Sequence, residues 1–500
     1  MSILIVSPQG VVGKKASLAI AATAADAVGQ TVVVASPQVI TTAIVWPTDR
    51  ELKFERGGSV TFTGAGALTN LKEVTPQNFG AVGLNFADDT VAFEKAIAAI
   101  TRPNGSTYAR GTLLIPPGQY KVTRVLNIPY GTSVKGSGAM NTIILVDGAG
   151  TTDGFSITGD VANFNEGGGI SELWITSTAG KSRDLITMSA ASNVRLDHLL
   201  VTSAGRYGIN LMDTVAVRGY GVTVSDSGAA GLYVNTASPA SSIATTTDFF
   251  GSAFRTTVAG YGAVVNGIGI NFHGCFFEYN VGGGISIGSG TVTLTAPYFE
   301  GNTVGHNILT ASNPDTTLRD STKLTVINPQ MVPNSPVDYY GLYINGGSTT
   351  LIGGGYSTTA KTIYINRANY PSVNMLGVSL VTAPTISSGT IGDVSGVIQY
   401  SDPSTGTSWQ TGGVGTTLTK AGDTNATSSV AVYANMMHVV STGTINTLTP
   451  PFSGFRGSVI LIPDSAFTTG TSGNIAIAST AVVGKAMTMT YDGTKWYPSY

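Results

Sequence analysis

The sequence predicts an all-β solenoid, and three observations carry that expectation. The first is a motif that returns in step: FFEYNVGGGISI at 276–287, then YFEGNTVGHNIL at 298–309, 22 residues later. Each copy runs apolar residues into a glutamate, an asparagine two positions on, a glycine-rich turn and another short apolar strand. Weaker copies precede them, LLVTSAGRYGINL from Leu199 and VTVSDSGAAGLYV from Val222. A period of twenty-odd residues made of strands and turns is the mark of a solenoid. The second observation is composition. With 64 glycines, only 11% charged residues and many Thr, Ser, Val and Ile, the chain reads as turn-rich β structure. The third is pacing by strand-opening glycines at Gly208, Gly231, Gly262, Gly284 and Gly341.

Along the chain, residues 1–25 hold a small Ala-rich stretch and read as an attachment segment. From Thr31 apolar runs alternate with turns (TVVVAS, VITTAIVW, ELKFERGGSVTFTG), the first irregular coils of a β stack. One helix is expected at about 88–100, in FADDTVAFEKAIAAI. Asp88 or Asp89 caps it, and Phe93, Ala96, Ile97 and Ile100 form its apolar stripe. A lone helix with one apolar face in an all-β chain suits a lid over the open end of the stack. Short strands follow at 111–148. The spacings 208 to 231 and 262 to 284 each fit one coil, whereas the gap from 231 to 262 implies a loop insertion near 237–247. A second excursion falls around 311–322. The solenoid is expected over 26–400. In 401–500 the coil rhythm stops, only eight charged side chains occur and longer alternating strands appear. That segment reads as a separate antiparallel, β-sandwich-like module whose charge-poor surface is buried against sister subunits.

Composition also excludes. A net charge of −2 gives no reason to expect nucleic acid or an acidic membrane as partner. The hydrophobic fraction of 42% is too high for a disordered chain. The single cysteine, Cys275, rules out an internal disulfide framework and reads as a buried small hydrophobe. The opening MSILIVSPQGVVGKK lacks the features of a secretion signal, and no window is apolar enough to span a membrane. Such a chain fits a component assembled in a host cytoplasm and released by lysis.

Two segments carry a family likeness. VTPQNFGAVGLNFADDTVAFEKAIAAI at 74–100 and LLIPPGQYKV at 113–122 resemble the opening of the pectate-lyase-like, right-handed parallel β-helix superfamily. GTINTLTPPFSGFRGSVILIPD at 443–464 and MTYDGTKWYP at 489–498 look like the C-terminal modules of bacteriophage tail fibres and tailspikes. Together these resemblances imply a phage tailspike in the virion. It would be homotrimeric, joined to tail or adaptor proteins through its N-terminus, and would need no cofactor. The superfamily includes lyases, hydrolases, epimerases and inert scaffolds, so the likeness fixes fold rather than chemistry.

The chemistry rests on stacking. Equivalent residues on successive coils lie about 4.8 Å apart, which brings Glu278 and Glu300 together. Two carboxyls so close do not both ionise easily, and a pair of this kind suits a general acid opposite a nucleophile or base. Arg255 falls in or beside the same column and suits an acidic sugar, and His273 lies five residues before Glu278. Asp226 follows the column position two coils upstream, and Asp248 opens the coil that carries Arg255; either is a candidate partner for the pair. Tyr207, Tyr261, Tyr279 and Tyr298 are candidate sugar-stacking residues beside turns, along with Tyr220, Tyr339 and Tyr340. Against the catalytic reading, Asn280 and Asn302 also stack, and an asparagine ladder explains the repeat without any reaction. Asp197-His198 sits in an ordinary strand pattern. Four histidines without metal-site spacing give no zinc site.

Three functions remain open at this stage. The first is a trimeric tailspike that binds and depolymerises a bacterial surface polysaccharide, by hydrolysis or β-elimination. The second is a non-enzymatic receptor-binding fibre, and the third a secreted polysaccharide lyase.

Overall fold

The computed structural model describes residues 3–7, 10–55, 57–101, 111–159, 164–178, 180–236, 244–310, 322–332, 340–356 and 363–366. It also describes 372–376, 379–380, 385–386, 397–402, 407–412, 424–425, 428–432, 436–450 and 456–500. The chain divides into two compact units, Met1–Gly305 and His306–Tyr500. The expected insertions near 237–247 and 311–322 fall mainly outside the described residues.

The first unit starts with a hairpin. Strand Ile3–Ser7 pairs antiparallel with Gly10–Lys15 and with Thr31–Val34. Parallel pairing begins where the first coils were expected, between Thr31–Val34 and Glu51–Phe54, and again between Gln38–Ile40 and Val60–Phe62. Part of the Ala-rich stretch is a short helix, Leu18–Thr23, with Ser17 as N-cap and Leu18, Ala21 and Ala22 buried. Buried Arg50 closes its C-terminal end by donating to the carbonyls of Ala21 and Ala24 at 3.0 and 2.8 Å.

The expected helix runs Thr90–Ile100 and buries Phe93, Ala96, Ile97 and Ile100. The two aspartates divide the work at its start. The Asp88 carboxylate accepts the Thr90 N–H at 3.0 Å, whereas that of Asp89 turns back to Val82 N–H at 2.7 Å and Gly83 N–H at 3.2 Å. The apolar stripe packs on Pro76–Phe79 and on the strands Ala67–Thr69, Glu73–Val74 and Thr112–Leu114.

Beyond the helix the chain winds through parallel ladders. One runs Gly118–Val122, Thr142–Val146, Trp174–Ser177, Leu200–Thr202, Thr223–Ser225, Ala253–Arg255, Phe276–Glu278 and Tyr298–Glu300, each strand paired with the next. A second joins Gly169–Ser171, Arg195–Asp197, Arg218–Tyr220 and Thr245–Phe250; a third joins Phe155–Thr158, Ile186–Ser189, Tyr207–Met212 and Ala230–Asn235. Both meet the long strand Tyr261–His273, which pairs with Gly283–Thr295.

The core lies inside these ladders. Ile144, Ile175, Val201, Val224, Phe254, Phe277 and Phe299 form one inward file, all 0% exposed. Phe277 stacks on Phe254 and Phe299 with ring centroids 5.7 and 5.1 Å apart. Each buried phenyl stabilises the coil by roughly 1.5–3 kcal/mol. Two files of left-handed residues bend the chain between sheets: His198, Gly221, Gly251, Gly274 and Ala296, then Ser203, Asp226, Thr256, Tyr279 and Gly301.

The second unit contains coils of the same kind. Ile308–Thr310, Leu342–Ile344, Ile363–Ile365 and Thr385–Ile386 form one parallel ladder, and Lys323–Ile327, Ser348–Ile352 and Ser372–Leu376 another. Further on, an antiparallel module was expected, and the pairing found is mixed. Gly457–Pro463, Met487–Tyr491 and Trp496–Ser499 are antiparallel, but Met436 pairs in parallel with Ile460 and Thr444 with Thr468. Those offsets are again about one coil long, so the rhythm persists where alternation alone suggested hairpins. Trp496 anchors this core at 0% exposure and donates its indole N–H to the Leu448 carbonyl at 2.9 Å. No helix among the described residues is long and apolar enough to cross a membrane.

Candidate functional site

The repeated motif places two different sets of side chains on opposite faces of one wall. On a straight strand, positions i and i+2 point the same way. Here the residue between them, Tyr279 or Gly301, is left-handed, with φ of 55° and 66°. The bend turns the glutamate outward and the asparagine inward.

The inward set is a closed hydrogen-bond ladder. Asn280 and Asn302 are 0% and 1% exposed. Asn280 Nδ2 donates to the Phe254 carbonyl at 3.0 Å and to Asn302 Oδ1 at 3.1 Å; Asn302 Nδ2 donates to the Phe277 carbonyl at 3.0 Å. The backbone N–H of Asn280 donates to Asn302 Oδ1 at 3.0 Å, and that of Thr257 to Asn280 Oδ1 at 3.2 Å.

The outward set forms one register column, Thr202, Ser225, Arg255, Glu278 and Glu300. Adjacent members are one rung apart, about 4.8 Å. Glu278 is half-buried, and burial pushes its carboxyl above the ordinary range; the Glu300 charge adds to the rise and Arg255 opposes it. Glu300 is held differently. Tyr298, two residues earlier on the same strand, donates its hydroxyl to Glu300 Oε2 at 2.9 Å. The ring of Tyr279 lies against Gly301 on the next coil, and the Glu300 carboxylate pushes both the Tyr279 and Tyr298 phenols up. Two stacked carboxyls thus sit in unlike environments, the arrangement that separates an acid from a base.

The remaining candidates divide between this wall and others. Asp226 is exposed at the bend after Ser225, with the Ser225 hydroxyl donating to it at 2.9 Å. Asp248 and His273 lie on strands of a different sheet from the pair. Strand Tyr261–His273 ends at His273, and the bend at Gly274 and Cys275 carries Glu278 onto another sheet. Asp248 there accepts from Asn271 at 2.8 Å and faces Arg218 at 4.0 Å. His273 stacks on Phe250 at 4.7 Å, which stacks on Tyr220 at 5.1 Å. Tyr207 lies on a strand and stacks on Tyr233 at 4.4 Å with rings 1° from parallel, so one of its faces is taken. Tyr261 starts its strand, and burial pushes its phenol up. Tyr279 is 52% exposed. Tyr339 lies outside the described residues.

Two features were not carried forward as sites from the sequence. His198 stands at a left-handed bend with Nδ1 2.7 Å from Asp197 Oδ1, and Arg195 bridges the same carboxylate at 2.7 Å. In the second unit, His306, Tyr343 and Tyr364 stack at 4.5 and 4.6 Å. Their signal was aromatic spacing by one coil between Tyr343 and Tyr364, obscured by the longer sequence gap between His306 and Tyr343. Among the described residues no cluster of three or more His, Cys, Asp or Glu is placed to hold a metal.

With this geometry in hand, the likeness to known proteins is specific. Residues 74–312 match the family described as Rhamnogalacturonase A/epimerase, pectate lyase-like. Over that region the chain resembles the pectate-lyase-like family, and its coils form a parallel β-helix. A 150-residue stretch is 29% identical to the pre-neck appendage protein of Bacillus phage B103, covering 28% of this chain. The match spans 16% of that relative's length. The gp42 tailspike of Acinetobacter phage vb_AbaP_AS12 shares the fold, with TM-score 0.56 over 89% of this chain and 85% of its own, at 11% identity. Both motif segments at 74–122 fall within the matched family region.

Proposed function

We propose that this protein is a virion tailspike that binds and depolymerises a polysaccharide on the host bacterial surface. The observation that carries the reading is the outward Glu278–Glu300 pair, one rung apart and in unlike settings. Glu278, pushed up by burial and by its neighbour, acts as general acid on the glycosidic oxygen. Glu300, held by the Tyr298 phenol, acts as nucleophile or base from the other side of the scissile bond. One rung of separation lies near the spacing of retaining glycosidases, roughly 5–5.5 Å between carboxyls. Arg255, next in the column, binds an acidic group of the sugar. Asp226 borders the same wall, and Asp248 and His273 belong to a neighbouring face that contacts more distant sugars.

The same reading assigns the rest of the chain. Residues 1–25 attach it to tail or adaptor proteins, the helix Thr90–Ile100 caps the coil stack, and 401–500 drives homotrimer formation and contacts the receptor. The likeness to phage appendage proteins and the charge-poor C-terminal segment support this. The buried Asn280–Asn302 ladder favours a second reading, because it accounts for the repeat without chemistry: a receptor-binding fibre that cleaves nothing.

Purified protein mixed with host polysaccharide separates the readings. Hydrolysis releases reducing ends without an unsaturated-sugar absorbance, and Glu278→Gln and Glu300→Gln abolish it. An absorbing product in place of plain reducing ends replaces hydrolysis by β-elimination. Binding without either product, unchanged in both variants, establishes the non-enzymatic fibre.

A further inference from the structure

We propose that Arg255 and Phe276 form a seat for one hexuronate residue of the bound polysaccharide, beside the Glu278–Glu300 pair. This rests on the reading of that wall as the polysaccharide-binding face, and it names the sugar the wall takes.

In the first unit the described arginines Arg50, Arg124, Arg183, Arg195, Arg206 and Arg218 each face a carboxylate within 4.0 Å. Arg255 is exposed, and its guanidinium forms no ion pair or hydrogen bond with a described residue. A carboxylate is nevertheless close, because Glu278 is its register partner on the next coil. Arg218 and Asp248 stand in the same register relation and do meet, at 4.0 Å. A guanidinium in solvent and free of its neighbour is open to an anion from outside.

Phe276 stands two positions before Glu278, on the same outer face, and is 40% exposed. Outward rings on other successive coils lie flat on one another, Tyr220 on Phe250 at 8° and Phe250 on His273 at 12°. Phe276 and its column neighbour Tyr298 are instead tilted by 55°, with centroids 5.8 Å apart. On the other side the column continues with Ala253, which offers only a methyl group. The ring is therefore open toward Ala253, and Arg255 stands two positions along from that alanine.

Ring and charge together select the ligand. A pyranose stacks its C–H face on an aromatic ring, and a guanidinium takes a carboxylate through two parallel N–H bonds. In a hexuronate the carboxyl is bonded directly to the sugar ring, so the two features are held at a fixed separation. Phe276 and Arg255 are one rung across and two residues along, about 8 Å between Cα atoms by strand geometry. A neutral sugar leaves the guanidinium unused, and a phosphate without a sugar ring leaves Phe276 unused.

Ligand-observed NMR titration of the full-length protein tests the seat without any cleavage. The probes are glucuronate, galacturonate and mannuronate, the three matching hexoses, and glycerol phosphate. At least one hexuronate should bind roughly tenfold more tightly than its hexose. Arg255→Gln should erase that difference. Phe276→Ala should weaken the hexuronate by roughly fivefold, whereas Phe276→Tyr should stay near wild type. No hexuronate binding, equal binding of hexuronate and hexose, or a preference that survives Arg255→Gln overturns the seat. Glycerol phosphate binding as tightly as any hexuronate, unchanged in Phe276→Ala, overturns it in favour of a phosphate. Hexuronate binding with no cleavage of host polysaccharide by wild type keeps the seat and sinks the reaction. Cleavage of a wholly neutral polysaccharide, unchanged in Arg255→Gln, keeps the reaction and sinks the seat.

Discussion

Replacing Asn280 by alanine should cost this protein far more than replacing either neighbouring glutamate by glutamine. Asn280 is fully buried and joins three coils. Removing its amide leaves the Phe254 carbonyl and the Thr257 N–H without their partner and takes one donor from Asn302 Oδ1. A buried polar group left unpaired costs about 1–3 kcal/mol. Two such groups give about 2–6 kcal/mol, and water entering the vacated space lowers this toward about 3 kcal/mol. For a chain that unfolds slowly, the direct reading is the unfolding rate in guanidinium. If the ladder is already broken at the unfolding barrier, about 3 kcal/mol makes the variant unfold roughly 150-fold faster than wild type. Glu278→Gln and Glu300→Gln, on the outer face, should stay within about threefold of wild type. Unfolding and refolding rates both equal in Asn280→Ala and wild type would refute the reasoning, because the ladder would then carry no stability. So would a larger effect at either glutamate.

Three further outcomes follow from the settings of single groups. The Glu278 carboxyl is raised above its ordinary value, so its contribution to stability is full in acid and is lost as pH rises through the raised value. Glu278→Gln should abolish that part of the pH dependence and match or exceed wild-type stability at neutrality, checked by denaturation across pH. Burial pushes the His306 imidazole down from 6.5 to about 4. The unfolded chain therefore takes up a proton that the folded one refuses, and stability falls as pH drops from about 6.5 toward 4; His306→Phe should flatten this window in hydrogen exchange of the coils at 306–365. Cys275 is buried, with burial pushing its thiol up to about 11. A thiol reagent should label it only after denaturation, and rapid labelling of native protein would contradict the burial.

The coil period was legible because stacked coils repeat their apolar positions: Phe277 and Phe299 are neighbours in one inward file. The helix was legible for the same reason, its stripe of Phe93, Ala96, Ile97 and Ile100 being buried as a unit. Arg255 fell into the glutamate column because the motif spacing counts rungs. What spacing does not give is the sheet on which a residue lands. His273 is five residues from Glu278 in sequence, yet a two-residue bend separates their faces. The packing of the Tyr279 ring over Gly301 was hidden as well, since it depends on a ring crossing to the next coil over a glycine. In the C-terminal segment, alternation of apolar and polar residues is the same for parallel and antiparallel strands, so the parallel pairs of Met436 and Thr444 were not visible.

The asparagine ladder and the glutamate pair looked like rival explanations of one motif because sequence places Glu and Asn two positions apart. On an extended strand they would share a face, and the needs of one would constrain the other. The left-handed residue between them removes that conflict. It lets each coil spend its inward position on holding the stack and its outward position on whatever meets solvent. The ladder therefore requires asparagine at 280 and 302 and places no demand on 278 and 300. Upstream in the same column stand Ser225 and Thr202, both buried, so the fold accepts small uncharged residues there. A charged Arg255–Glu278–Glu300 run in a chain with 11% charged residues is thus not required by the ladder, and the proposed polysaccharide contact gives it a use. Substituting serine at 278 and 300 separates the two roles: stability should persist while cleavage is lost. Loss of folding in that double variant would return the glutamates to the scaffold.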